Sequence, residues 1–334
     1  MAKQNRQYGS SNVLVRVYEK SLLTTNDFER LIQAKDREEF LQILEETKYG
    51  TYLSESTNGD FEEMLTESLI DDYEQIFAIS PDPEINEYIA LRYTYHNIKI
   101  NFKEQITGND LSHLYIPISP ISSRALDYAI GSGESTRLPS HYLDSINEAR
   151  EAYEQYQDLY SIDVIMDRRY LTHLRLLAEE IGDEKLISFT KRRIDYQNII
   201  TLVRGMNQNR TRNFLNTVLS SSGSIPKNDL IELGHAEHSD VVEYYEKTHL
   251  DKVIRQLDME EEMISTLQLE ALIDDALMLE MHEGKRVAAG PLPILAYIHA
   301  RETEIKNLRI IYFAKGTDMS IDEIKERMRL NYVT

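Results

Sequence analysis

The chain has 334 residues, no cysteine, and 57 acidic against 37 basic side chains, for a formal net charge of −20 at pH 7. Disulfides and thiolate chemistry are therefore excluded, and a reducing compartment is the easier setting. The negative charge disfavours broad nucleic-acid binding because it repels phosphate backbones. The most basic stretch, TKRRIDYQN, alternates with apolar positions and is typical of a solvated helix edge. No apolar run approaches the ~18 residues that span a bilayer, so we expect no nucleic-acid partner and no transmembrane segment.

Helical periodicity runs through almost the whole chain, whereas glycine and proline are sparse, at 13 and 8 residues, and strand-like alternation is rare. The expected fold class is all-α. Near the start, Asn26 and Asp36 are predicted N-caps, because each is followed three residues later by a glutamate in the style of a capping box. A further helix is predicted from about Phe61 to Ile79, where the proline-containing sequence SPDPE ends it.

Residues 113–141 concentrate proline, serine and glycine, and this segment is the best candidate for a linker or an extended surface crossing. The GSGES sequence within it lacks the spacing of a phosphate-binding loop. A long helix is predicted from Ser140 onward. Tyr153, Tyr156 and Tyr160 follow at helical spacing, which predicts a packed face.

Three stretches share one pattern when an asparagine is placed in register: INEYIALRYTYHNIKINFK, LISFTKRRIDYQNIITLVR and LAYIHARETEIKNLRIIYF. Their apolar positions coincide at steps of three or four residues, which places each set on one face of a helix. A glycine follows each asparagine, and glycine is the usual residue of the left-handed helix C-cap. The residues of this structural repeat are Asn97, Asn198, Asn307, Gly108, Gly205 and Gly316.

The recurrence predicts a threefold duplication with a unit of roughly 100 residues, which is too long for a common solenoid repeat. We expect each asparagine to be structural, with its amide bonding the backbone of a neighbouring helix and fixing the register. A residue present in three copies is not expected to be catalytic, since catalysis needs one unique site. The predicted helical subdomains, with approximate boundaries and with N-terminal helices free to pack against the last one, cover 1–112, 142–255 and 256–334, and the crossing covers 113–141.

An all-α diphosphate enzyme, which holds Mg²⁺ through aspartate-rich helices, is the sharpest enzymatic alternative. The acidic pairs Asp71–Asp72 and Asp274–Asp275 suggest it superficially, but a bridged metal needs carboxylates one helical turn apart. Glu74 supplies such a group only in part for the first pair, and nothing supplies it for the second. Solvated helix faces are therefore predicted for both pairs.

The sequence GHAEHSD places His235 and His238 three residues apart, which is half of a possible metal site. Because no cysteine and no evident third ligand accompany them, a surface loop is predicted here. No GxSxG sequence for a nucleophilic serine is present. We therefore predict no catalytic, cofactor-binding or metal-binding residue, and no cofactor.

The stretches FTKRRIDYQNIITLVRG and YIHARETEIKNLRIIYFAKG resemble paired signatures of the C subunit of the archaeal and bacterial V-type rotary ATPases, a relative of the d subunit of the eukaryotic vacuolar ATPase. The opening RVYEKSLLTTNDFERLI, the internal SIDVIMDRRYLTHL and the ending IDEIKERMRLNYV are similar to that family as well. The resemblance covers nearly the whole chain and is weakest over residues 113–141.

This resemblance implies a funnel of three similar helical subdomains around a pseudo-threefold axis, seated on the membrane rotor ring and holding the tip of the central shaft. Such a protein transmits torque without being catalytic itself, and lies peripherally on the cytoplasmic side of the membrane as part of the complex. The implied partners are the central shaft subunits and the rotor ring subunits. A helical adaptor without ATPase partners is the alternative that composition leaves open.

Overall fold

The computed structural model describes residues 2–55, 60–257, 263–317 and 319–333. Within these ranges the chain forms helices, turns and irregular segments and no β-strand, so the prediction of an all-α fold is confirmed. The α-helices are α1 (Ala2–Tyr18), α2 (Thr25–Gln33), α3 (Arg37–Glu45), α4 (Gly50–Glu55), α5 (Phe61–Ile79), α6 (Pro83–Thr107), α7 (Ser123–Ser132), α8 (Ser140–Tyr156), α9 (Leu159–Ile181), α10 (Glu184–Asn207), α11 (Arg212–Val218), α12 (Lys227–Leu233), α13 (His238–Tyr245), α14 (Asp251–Ile254), α15 (Thr266–His282), α16 (Leu292–Ala314) and α17 (Ile321–Arg327). Short 3-10 helices cover Glu19–Ser21, Ser112–Leu114 and Glu283–Arg286.

Local capping explains where the first helices begin. The predicted N-cap Asp36 is confirmed, because its side chain accepts a hydrogen bond from the Glu39 amide at the start of α3. The prediction of Asn26 as an N-cap is wrong, since α2 begins earlier. Thr24 caps it, with Asp27 accepting the Thr24 amide proton in a reciprocal capping box.

Contacts divide the chain into two compact units, Met1–Pro83 with Ala271–Thr334, and Glu84–Glu270. In the first unit α16 packs against α1 and α5, and in the second α9 packs against α8 and α10. Both cores are built from apolar helix faces at the three-to-four-residue spacing seen in the sequence. No helix in the described part of the chain combines the length and the apolar character needed to cross a bilayer. The division into three subdomains in chain order stays a prediction.

The segment 113–141 is not simply an extended crossing, because α7 lies within it. Ser122 caps this helix by accepting the Ala125 amide proton, and Gly133 ends it with a left-handed φ of 75°. Leu126 and Ala129 are fully buried, so the helix packs on the core of its unit. Serine and glycine thus act here as helix start and stop signals.

The predicted packed face of tyrosines is wrong. Gln157 adopts a left-handed φ of 53° after α8 ends, and α9 begins at Leu159, so Tyr156 and Tyr160 belong to different helices. Tyr156 is 65% exposed and Tyr160 is 49% exposed. A regular spacing of aromatic residues cannot form one helix face when the helix ends in its middle.

Candidate functional site

The asparagine of the second repeat lies in a polar site on the long helix α10. Asn198 is 1% exposed, and its Nδ2 donates to the carbonyl oxygen of Ser220 at 2.9 Å. The Ser220 amide in turn donates to Oδ1 of Asn198, also at 2.9 Å. One side-chain amide therefore satisfies both polar groups of one buried main-chain residue, which lies 22 positions later.

The other two asparagines make the same pair of hydrogen bonds. On α6, Asn97 donates to the Ile116 carbonyl at 2.7 Å and accepts from the Ile116 amide at 3.1 Å. On α16, Asn307 donates to the Arg329 carbonyl at 2.9 Å and accepts from the Arg329 amide at 2.8 Å. Both asparagines are fully buried. Since a backbone amide only donates and a carbonyl only accepts, each pairing also determines the orientation of the asparagine amide.

The bound residue is not part of a neighbouring helix, which corrects the sequence interpretation of these asparagines. Ile116, Ser220 and Arg329 each lie in irregular backbone just beyond a short helix. The physical reason is that residues inside a helix already use their amides and carbonyls in the helix, whereas both groups of an irregular residue remain accessible to a side chain. The asparagine and the residue that it binds are 22 positions apart in the second and third copies, where the short helix is α11 or α17. They are 19 positions apart in the first copy, where the short helix is the 3-10 helix before Ile116.

A buried polar residue one helical turn before each asparagine was missed from the sequence, although it stands in register in the three stretches. In the first copy the Thr94 hydroxyl bonds the Ser119 hydroxyl at 2.8 Å. In the second copy Asp195 is fully buried and accepts the amide protons of Ser224 and Ile225, at 2.9 and 3.1 Å. Both residues therefore hold the segment that follows the bound main-chain residue.

Glu304 occupies this position in the third copy, and its partners lie elsewhere in the chain. It accepts the Leu23 amide proton at 2.6 Å and the Tyr49 hydroxyl proton at 2.7 Å, and the Arg301 guanidinium contacts the same carboxylate. Burial raises the pKa of the Glu304 carboxyl above its usual value. The third copy therefore connects helix α16 to the N-terminal segment of its unit.

Asp72 completes this buried polar cluster, and its burial corrects the prediction of a solvated acidic pair. Asp72 is 2% exposed, and it accepts from Arg301 at 2.8 Å, from Lys48 at 2.7 Å and from the Tyr297 hydroxyl at 2.7 Å. Arg301 is fully buried and Lys48 is partly exposed, so the cluster places one guanidinium and two carboxyl groups away from water. Such groups are retained only when they are paired and hydrogen-bonded.

Asp274, Asp275 and His238 also have protein partners. Asp274 bonds Arg329 at 2.8 Å, and Asp275 accepts the Leu330 amide proton at 2.7 Å. His238 begins α13, where its Nδ1 accepts the Ile264 amide proton at 3.3 Å, and His235 lies exposed in the turn before it. Over the described ranges no cluster of three histidine or carboxylate side chains is arranged to hold a metal ion.

The three repeat glycines differ in their structural roles, which corrects the interpretation of a shared left-handed cap. Gly108 does have a left-handed φ, of 69°. Gly205 lies inside α10, and a Cβ there would stand 2.7 Å from Cδ2 of Leu215 on α11. Gly316 lies in the turn after α16 with a φ outside the left-handed region, against the guanidinium of Arg37. Close packing against a buried side chain therefore explains Gly205, whereas Gly316 meets only the end of a flexible arginine side chain.

A second relation recurs alongside the asparagine sites. Each long helix forms an ion pair with the helix that precedes another copy in the chain. The pairs are Lys103–Asp163 at 2.8 Å (α6 with α9), Arg204–Glu270 at 2.5 Å (α10 with α15) and Arg309–Glu62 at 2.8 Å (α16 with α5). All six side chains are partly exposed, so each pair contributes only about 0–1 kcal/mol. What the three ion pairs have in common is that each joins a long helix to the helix that precedes another copy.

Known proteins are similar to this chain over nearly its full length. The model of the ATP synthase (C/AC39) subunit family matches residues 11–327. The V-type sodium ATPase C subunit of Enterococcus hirae is 36% identical over 326 residues, which cover 98% of this chain and 99% of that protein. The A-type ATP synthase C subunit of Methanocaldococcus jannaschii is 24% identical, with 95% and 85% covered, and that of Thermococcus kodakarensis is 25% identical, with 96% and 89% covered.

Proposed function

The chain belongs to the ATP synthase (C/AC39) subunit family, and from this premise we propose that it is the central-stalk subunit of a V-type rotary ATPase. In this role it is a socket that couples the central shaft subunits to the membrane rotor ring subunits for ATP-linked ion transport. The observation that carries the proposal is the 36% identity with a V-type ATPase C subunit across 99% of that protein's length. The protein then lies peripherally on the cytoplasmic side of the membrane.

The proposed architecture is a funnel of three related helical subdomains around a pseudo-threefold axis, with the shaft tip in its cavity. Two observations support it. The asparagine sites at residues 97, 198 and 307 repeat the same two hydrogen bonds, and the ion pairs of α6, α10 and α16 repeat the same relation to a preceding helix. Amphipathic periodicity alone aligns many unrelated helices, but it does not produce a shared side-chain to main-chain site.

The asparagine sites suit a part that transmits torque. Each one ties a long helix to irregular backbone through two hydrogen bonds of a buried asparagine, and at Ser220, which is itself buried, opening the site would leave both main-chain groups without a partner. An orphaned buried donor or acceptor costs about 1–3 kcal/mol. Loops that follow the long helices are thereby held to the helix framework, so each subdomain is expected to move as a rigid body.

We propose that the protein is non-catalytic within its enzyme complex. The carboxylates that suggested a Mg²⁺-dependent diphosphate enzyme have other functions here. Asp72 is enclosed by Arg301 and Lys48, and Asp274 is paired with Arg329. A carboxylate that neutralises a buried arginine is not available to bridge a metal without leaving that charge unpaired.

Removal of the protein from a purified ATPase complex tests the proposal. ATP hydrolysis by the soluble head should persist, whereas ATP-driven ion transport into vesicles should be lost and should return when the purified chain is added back. Co-purification of the tagged chain with both shaft and ring subunits is the second measurement. The alternative, a helical adaptor without ATPase partners, holds if transport survives complete removal and neither partner is recovered.

A further inference from the structure

The loop after α7 forms one wall of a pocket in the segment where the family resemblance is weakest. Its volume is about 400 Å³. The pocket is lined by Arg124, Ala125, Tyr128, Ser135, Thr136 and Arg137. None of these is acidic, although the chain carries 57 acidic side chains against 37 basic ones. The lining therefore presents positive charge and hydroxyl groups on a protein whose overall charge is strongly negative.

The guanidinium groups of both arginines in the pocket are available to bind a ligand. Within the described residues, neither Arg124 nor Arg137 makes a side-chain hydrogen bond or an ion pair. The nearby Arg150, by contrast, donates to the main-chain carbonyl of Ala129 at the end of α7. Asp127 and Glu134 are the acidic residues adjacent in sequence, yet neither lines the pocket or pairs with an arginine. The pocket therefore retains two positive charges that the protein itself does not neutralise.

The hydroxyl groups add hydrogen-bond donors to this charge. Oγ of Ser135 accepts the amide protons of Arg137 and Leu138, both at 3.1 Å, which occupies its two lone pairs. Its own proton is then the group left to donate to a ligand. Thr136 is exposed beside it, and Tyr128 on α7, which is 65% exposed, adds a phenol to the lining. A ligand for this set of donors must be rich in acceptors and negatively charged.

We propose that this pocket binds a phosphate-bearing anion, either free phosphate or the headgroup of an anionic phospholipid. Guanidinium groups match phosphate oxygens in a bidentate geometry, and hydroxyl donors complete the coordination that phosphate requires. The volume of about 400 Å³ lies at the small end of ligand pockets and is sufficient for a headgroup. The inference rests on Arg124 and Arg137, and does not depend on the proposed role in the ATPase.

Titration of the purified full-length chain with sodium phosphate, against matched sodium chloride, tests the binding. The pocket variant is Arg124→Gln with Arg137→Gln. The control variant is Arg255→Gln with Arg327→Gln, which removes the same charge at two exposed arginines whose guanidinium groups make no hydrogen bond or ion pair in the described structure. Loss of a charge-assisted hydrogen bond weakens binding roughly tenfold per arginine, so the pocket variant should bind about 100-fold more weakly while the control binds like the wild type.

Flotation with vesicles of phosphatidylglycerol mixed with phosphatidylcholine, compared with phosphatidylcholine alone, distinguishes the two sources of phosphate. Pocket-dependent flotation assigns the headgroup, and phosphate binding without flotation assigns the free anion. If the wild type binds neither phosphate nor vesicles, or if the control loses binding as much as the pocket variant, the proposal is wrong. Should the double variant unfold, Arg137→Gln alone, in the exposed loop, gives the same comparison against Arg255→Gln.

Discussion

Asn198 and Ser220 face each other through two reciprocal hydrogen bonds of 2.9 Å, and both residues are buried. The side chain of Asn198 on a long helix thus provides both main-chain hydrogen bonds of one irregular residue. The same relation between Asn97 and Ile116 makes it a repeated feature of the chain. The pairing is energetically important because both residues are buried: a main-chain group that loses its partner there cannot form a hydrogen bond with water instead.

We predict that Asn198→Ala destabilises the protein by about 2–4 kcal/mol, since it leaves the amide and the carbonyl of Ser220 buried without partners. Urea unfolding followed by circular dichroism measures the change in free energy. The matched control is Asn213→Ala, at an exposed position, which should alter stability by less than about 0.5 kcal/mol. Equal effects of the two substitutions would show that the Asn198 site is not structurally important.

Replacement of the Asp72 carboxylate should lower the free energy of unfolding more than replacement of the Asp71 carboxylate. Asp72→Asn replaces the carboxylate beside Arg301 and Lys48, and breaking a buried charge pair in this way costs about 3–5 kcal/mol. Asp71→Asn is the control, because Asp71 is only partly buried and, among the residues that the structure describes, its side chain bonds only Tyr52. In a double-mutant cycle, Asp72→Asn should cost less when Arg301 is already Met; additive effects would contradict the pairing.

The stability should depend on pH through His173. Burial, together with the nearby His141, lowers the pKa of His173 to about 4, from an ordinary value of 6.5. The neutral, buried His173 therefore contributes fully to the free energy of unfolding above pH 6.5. This contribution decreases as the pH falls toward 4, because the histidine of the unfolded chain binds a proton before that of the folded chain does. The expected slope is about 1.4 kcal/mol per pH unit within that window.

Urea unfolding at pH 7 and pH 5 measures this slope in the wild type and in His173→Gln. The substitution should remove the pH dependence that this residue contributes, whereas His235→Gln, at an exposed turn, should leave it unchanged. Groups that face the imidazole also matter: the Tyr95 hydroxyl lies 3.4 Å away, the Glu87 carboxylate lies 3.8 Å away, and the centroid of the His141 ring lies 5.1 Å from that of His173. A wild-type slope that persists in His173→Gln assigns the pH dependence to another group.

Gly205→Ala should destabilise the contact between α10 and α11. The added Cβ would stand 2.7 Å from Cδ2 of Leu215, a fully buried side chain, and overpacking of this kind costs about 1–3 kcal/mol. Gly9→Ala is the matched control, because a Cβ on that helical residue meets nothing within 4 Å and alanine favours a helix by about 1 kcal/mol. The two variants should therefore shift the thermal midpoint in opposite directions.

Much of the fold was determined by local features of the sequence. The all-α class and the span of α5 from Phe61 to Ile79 follow from apolar periodicity and from the prolines after the helix, as predicted. The register of the three asparagines could also be read directly, because the residues around each one share a single helix and therefore one period. These features depend on neighbours within a few positions, which the sequence displays.

Only the tertiary structure decided which groups those residues meet. Nothing near Asn307 in sequence indicates Arg329 as its partner, and nothing near Asp72 indicates Arg301, which lies 229 residues later. The acidic pair at 71–72 looks like any solvated helix edge until α16 covers one side of it. Burial and long-range pairing depend on which helix faces pack together, and many packings satisfy the same periodicity; the choice among them is made by the fit and the hydrogen bonds of the whole core.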